Sequence, residues 1–163
     1  MASDYLLEID GIKGESVDKK FPGAMEIESF SWGVTNAGSF SMGTGGGAGK
    51  ASLQDFHITT NLSSASPVLM QSCATGQHIK KAILHVRKQG GGIEGSQLEY
   101  YSWKFTDLLV TSFQTGGSSG SPLPTEQISL NFAKIEINYL PQDDKGNLGS
   151  PTIFKWDQRT KSS

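Results

Sequence analysis

Several short patterns in this 163-residue chain contain the residue types that chemistry needs. Gly43–Lys50 runs into a Gly-Lys pair like a loop that cradles phosphate with backbone N–H groups. Counting back from Gly49-Lys50, however, puts Thr44 at the first glycine position and Ala51 where a hydroxyl must ligate magnesium. Gly90, Gly92 and Gly95 match a dinucleotide fingerprint, which has to open a helix. A strand pattern follows instead, so the stretch reads as a hairpin turn. Gly116-Gly117-Ser118-Ser119-Gly120 matches a nucleophile elbow, whose histidine must come later in the chain. His57, His78 and His85 all precede it, and no helix pattern follows. Asp143–Asn147 opens like a calcium loop but misplaces the oxygen ligands, leaving a polar turn. The histidines lack metal-ligand spacing, and the single Cys73 reads as a small buried hydrophobe. Tyr101, Trp103 and Phe105 share one face and could stack sugars or bases, although the simpler assignment is the buried face of a sheet. These patterns build no active site and imply no cofactor.

The composition narrows the field. Twenty glycines with only 6 prolines and no three-residue repeat point to a β-rich fold with tight turns. Fourteen basic against 16 acidic side chains leave no electrostatic source for nucleic-acid binding. No apolar run reaches ~18 residues, so no membrane insertion is expected. The N-terminus lacks a basic segment followed by an apolar one, so no signal peptide is read there. The expected site of synthesis and folding is the cytoplasm, and the length suits one domain over residues 1–163.

Alternation positions almost everything. Tyr5, Leu7 and Ile9 mark a first strand closed by Asp10-Gly11. Met25 and Ile27 alternate with Glu26 and Glu28, then Phe30, Trp32 and Val34 continue on the opposite parity. A slip of one residue near Ser29 predicts a β-bulge or bend. Phe56 and Ile58 mark the next strand, and Ala82, Leu84 and Val86 another. Two more are expected at Leu98–Asp107 and Leu108–Gln114. From Gln127 to Tyr139 the phase slips again, between Phe132 and Ile135, as a barrel corner requires. Ile153–Trp156 closes the chain. Only Ser66–Gly76 reads as a helix, with Ser66 as cap, Pro67 at the first position and Gly76 at the end. Val68, Leu69, Ser72 and Cys73 should face the core.

Two segments are loops by composition: Gly38–Lys50, with six glycines, and Thr115–Pro124. A flexible loop of 13 residues in a compact domain is usually functional or disordered. With few lysines or prolines in Met25–Val34 and Ile128–Tyr139, edge-to-edge assembly is available. Identical barrels joined head to tail close into a ring or continue as a filament.

The ordered landmarks carry a resemblance. They are Gly11–Ser16, Ser29–Gly33, Gly45–Lys50, Ser66-Pro67 with its helix, Leu108–Gly117, Thr125-Glu126 leading to Leu130–Ala133, and Tyr139 followed by Pro141-Gln142. Together they resemble the Hcp (haemolysin-coregulated protein) family, the tube protein of the bacterial type VI secretion system. The resemblance implies a mainly β fold: a β-barrel of two antiparallel sheets, one short helix at its side and an extended Gly-rich loop. It implies homohexameric rings stacked into a tube that a contractile sheath expels, with the spike tip protein as cap. Effector proteins would bind in the lumen, and the subunit would occur in the cytoplasm and outside the cell. Carried onto this chain, Ser29 and Ser31 become the lumen- and effector-facing residues, while Phe30 and Trp32 face the core. The ring-stacking loop becomes Gly38, Ser39, Phe40, Ser41, Met42, Gly43, Thr44, Gly45, Gly46, Gly47, Ala48, Gly49 and Lys50, and Thr115–Pro124 is expected at a ring face. Two rival readings are a monomeric carbohydrate-binding module using Tyr101 and Trp103, and a hydrolase built on Ser118.

Overall fold

The computed structural model describes residues 3–38, 50–89 and 97–163. Along the chain come β1 (Asp4–Ile9), β2 (Met25–Ser31), β3 (Val34–Asn36), β4 (Ala51–Leu53) and β5 (Phe56–Asn61). The helix α1 (Ser66–Thr75) follows, then β6 (Ile79–Gln89), β7 (Gln97–Gly116), β8 (Thr125–Tyr139) and β9 (Thr152–Asp157). The main sheet has the order β5-β2-β1-β6-β7-β8-β9 and closes through β5 against β8, while β3 and β4 form a separate two-stranded ribbon. All pairings are antiparallel. Six strands therefore make a closed barrel, mainly β with one short helix, as expected. One edge of β8 serves two partners: Thr125–Leu130 pair with β5, and Lys134–Tyr139 pair with β9.

The phase slips become geometry. Pairing of β2 with β5 shifts between Ile27 and Ser29, the bulge that moves Phe30 onto the core face. The slip in β8 has matching slips in its neighbours. Ile79, Leu108 and Phe132 form one buried cross-strand row, and Ala82, Phe105 and Ile135 form the next. Three strands thus change parity together, which is how a sheet turns a barrel corner without losing register. Asp107 sits at the turn with φ 54°. The two strands expected at Leu98–Asp107 and Leu108–Gln114 are consequently one strand, bent where the sequence divides them.

Aromatic rings fill the centre. Phe56 is fully buried, with Phe105 4.6 Å away and Trp103 5.3 Å away between centroids. Such tilted contacts add about 0.5–1.5 kcal/mol each beyond area burial. Gly11 takes φ 81° in the turn after β1, where Ile12 N–H donates to the Ile9 carbonyl. Asp143 Oδ1 accepts from the Lys145 and Asn147 N–H groups, which makes 143–147 the expected polar turn.

Two helix assignments are corrected. The N-cap is Ala65, which has no capping side chain, and Ser66 is already helical. The Ser66 hydroxyl turns inward and donates to the buried Glu126 carboxylate at 2.8 Å. Val68 is 43% exposed, since the buried stripe runs Ser66, Leu69, Ser72, one side of a helix that Val68 does not share. Cys73 is half-buried against the core. Gly76 ends the helix at φ 64°, as glycine at that position allows.

Candidate functional site

Ser29 and Ser31 lie exposed on the outer face of β2, with half-buried Phe30 between them turned to the core. Trp32, half-buried, also packs against the core. The expected parity holds. Register then places Ser31 opposite His57 on β5, and His57 opposite Ser129 on β8. His57 Nδ1 and Ser129 Oγ are 2.8 Å apart. Asp55 extends the row, accepting from Thr111 Oγ1 at 2.7 Å and from Asn131 Nδ2 at 2.8 Å. Thr59, opposite Ser29, and Gln127, opposite Thr59, complete a wall of small hydroxyl, amide and imidazole groups.

The wall is not a reaction centre. Ser129 and His57 form a hydroxyl–imidazole pair, but the wall's one carboxylate, Asp55, is engaged by Thr111 and Asn131, so it does not orient the imidazole as a nucleophilic triad requires. Among the described residues no three His, Cys, Asp or Glu side chains converge as metal ligands. Ser118, the elbow candidate, lies exposed in a turn where its carbonyl accepts from Ser121 N–H at 3.1 Å. Trp103 is 4% exposed and gives a sugar no face to stack on. No helix among the described residues is long and apolar enough to cross a membrane.

Gly38 and Lys50 bound the glycine-rich loop and are exposed. The candidates Ser39, Phe40, Ser41, Met42, Gly43, Thr44, Gly45, Gly46, Gly47, Ala48 and Gly49 lie outside the described residues, as does the hairpin turn expected at Gly90–Gly95. Reasoning from sequence missed His57, Ser129, Asp55, Thr111 and Asn131. The signal was present in part: His57 alternates with Phe56 and Ile58, and Ser129 with Ile128 and Leu130. What alternation could not show is that β5 lies beside β8.

A second polar cluster sits on the opposite wall. His85, on β6, is 7% exposed, with Glu99 at 2.6 Å and Glu8 at 2.7 Å. Burial pushes its imidazole down, but the hydrogen bonds it donates to Glu99 and Glu8 outweigh that and hold it above its ordinary value. Arg87, two residues on, donates to Asp18 at 2.6 and 3.1 Å and to Asp4 at 3.3 Å. Phe21 stacks on His85 and lies beneath the Arg87 guanidinium. Together these contacts strap the β1–β2 connection to the barrel.

Fold and site together define a closed six-stranded antiparallel barrel with a polar outer wall across β2, β5 and β8. Comparison with known proteins gives the family. Residues 6–139 match the model for "Type VI secretion system effector, Hcp". The chain is 39% identical over 160 residues to the protein hcp1 of Pseudomonas aeruginosa, covering 98% of this chain and 97% of that one. Among solved structures, a type six secretion system protein superposes with TM-score 0.90 at 29% identity, over 99% of both chains. Hcp1 from Salmonella typhimurium superposes with TM-score 0.78 at 31% identity, over 99% of both. The chain belongs to the Hcp family of type VI secretion, a family of structural and secreted tube proteins rather than enzymes.

Proposed function

We propose that residues 1–163 act as one domain, a tube subunit of a type VI secretion machine. Six copies close a ring, and rings stack through Gly38–Lys50 into a tube that passes from the cytoplasm to the outside. The contractile sheath and spike tip protein are its assembly partners, and small effector proteins are its lumen cargo. Ser31, with Ser29 beside it, faces that lumen.

The observation that carries this reading is the continuous polar wall of Ser31, His57 and Ser129 across β2, β5 and β8. Small hydroxyls leave room in a channel and offer both donors and acceptors to varied cargo. A wall of apolar or strongly charged groups would select a single partner or jam. The glycine content of Gly38–Lys50 suits a segment that orders against a neighbouring ring, its entropic cost offset only in the assembly.

Negative-stain electron microscopy and size exclusion test the reading. Annular particles at several times the monomer mass are expected, and monomers at every concentration refute it. Ser31→Gln should keep the ring and lower co-purification of effectors, whereas unchanged cargo recovery removes Ser31 from the wall. Deleting Gly43–Gly49 should spare single rings and weaken stacking; equal stacking refutes the loop assignment.

A further inference from the structure

Two faces of the barrel carry opposite charge, and each has an exposed apolar neighbour. On the outer side of β7, β8 and β9, Lys104, Glu136 and Lys155 form one cross-strand row. Lys155 reaches Glu136 at 3.3 Å, while Lys104 has no ion pair among the described residues. Lys134, on the next row, lines the same hollow of about 320 Å³ and pairs with Asp157 at 3.8 Å, so the face's excess positive charge is that of Lys104. Ile153, two residues before Lys155 and therefore on the same face of β9, is 48% exposed.

The second face lies at β2. Glu15, Glu26 and Glu28 line a hollow of about 440 Å³ with no basic side chain among its lining residues. Leu62 and Leu123, 43% and 46% exposed, sit in the same lining. Among the described residues, Glu15 and Glu28 accept hydrogen bonds only from neutral groups, Ser64 N–H and Asn61 Nδ2. The acidic charge is thus uncompensated.

Lys104 stands across the barrel from β2, and Glu136 and Lys155 lie one strand nearer to it on the β5 side. In the closed order β5-β2-β1-β6-β7-β8, β7 is three strands from β2 in either direction. The strand β5, bearing His57 and Thr59 of the polar wall, lies along one of those routes. The other crosses β1 and β6, where the Arg87–Asp18 strap sits. A barrel joined to its copies through such faces presents one route inward and the other outward.

We infer that the Lys104–Lys155 face of one copy docks on the Glu26–Glu28 face of the next, and that this head-to-tail contact builds the ring. Opposite faces meeting in a heterologous contact generate a closed ring or a filament. Complementary charge steers and registers the copies, and apolar contacts of the Ile153 and Leu62–Leu123 kind exclude water beside it. The inference rests on the ring reading above and adds the surfaces that make it.

The test uses full-length protein in two variants. Lys104→Glu/Glu136→Lys/Lys155→Glu reverses the net charge of the row while keeping its internal ion pair. Glu26→Lys/Glu28→Lys reverses the other face. Each variant alone should elute at monomer mass, because like charges then meet. Mixed in equal amounts the two should return to ring mass, since every contact in an alternating ring is again complementary. A variant that is folded by circular dichroism and still elutes alone as a ring overturns the inference, as does a mixture of folded variants that stays monomeric. Wild-type protein that never forms a ring overturns the ring reading and this contact with it, a result distinct from an intact wild-type ring with indifferent variants. Salt supplies a measurement independent of variant folding. Raising ionic strength from ~0.05 to ~0.5 M shortens the screening length severalfold and should shift wild-type protein toward monomer at low concentration; a ring indifferent to salt overturns the inference.

Discussion

His85 lies flat against Phe21, the ring centroids 3.9 Å apart and the planes 19° from parallel. Both imidazole nitrogens face carboxylate oxygens, which only accept, so the doubly protonated ring satisfies Glu8 and Glu99 at once. The latch is therefore cationic. Because the folded pKa is raised, its stabilisation is fully present below the ordinary imidazole value of ~6.5 and is lost as pH rises through the folded value. Thermal melts should show a lower Tm at pH 9 than at pH 6. A loss of about 1 kcal/mol corresponds to roughly 2–4 °C in a chain of this length. His85→Asn should flatten that difference, and a slope unchanged by the substitution refutes the latch.

Asp18 sets the acid limit. The Arg87 guanidinium, hydrogen-bonded to it, holds its carboxyl down at about 2. A depressed folded pKa contributes stability present above the unfolded value of ~3.9 and lost as pH falls through about 2. Asp18→Asn should remove part of the acid-induced loss and expose backbone amides of the 16–23 strap to faster hydrogen exchange at neutral pH. Identical exchange in both proteins counts against the strap.

Glu126 is fully buried on β8, with Ser66 Oγ donating to its Oε1 and no partner for Oε2 among the described residues. Ser66→Ala leaves that carboxyl without its donor. The expected cost is about 1–3 kcal/mol, the range for leaving a buried polar group unsatisfied. Urea titration measures it, and a change below ~0.5 kcal/mol would show that Ser66 does not anchor the helix.

Asp107 takes φ 54° at the corner, a conformation that Asp and Asn tolerate and β-branched residues do not. Its hydrogen bond with His78 at 3.1 Å and its ion pair to Arg159 at 3.3 Å involve well-exposed partners and are worth ~1 kcal/mol or less. Backbone strain should dominate. Asp107→Val is expected to cost about 2 kcal/mol and Asp107→Asn about 0.5 kcal/mol. Equal losses in chemical denaturation would place the charge above the backbone.

How far the fold could be read in advance depends on the range of the interaction. The bulge near Ser29 and the slip between Phe132 and Ile135 were visible because one residue of phase moves every later side chain to the other face. Those positions match the β2–β5 register shift and the corner. The helix start was misplaced because Ser66 satisfies a cap rule by residue type, whereas its hydroxyl is claimed by Glu126, 60 residues away. His85 showed as no more than a strand histidine. Its partners Glu8 and Glu99 lie on two other strands, β1 and β7, which register alone brings together.

By itself the sequence determined the β-rich class, the strand parities, the turn at Gly11, the helix around Leu69 and the family, since each rests on local pattern or ordered landmarks. The tertiary structure decided which strands close the barrel, that Ser31 shares a wall with His57 and Ser129, and that the Lys104 and Glu26 faces stand opposite one another. Closure couples residues far apart along the chain through backbone hydrogen bonds, and backbone hydrogen bonds carry no residue identity that a sequence could display.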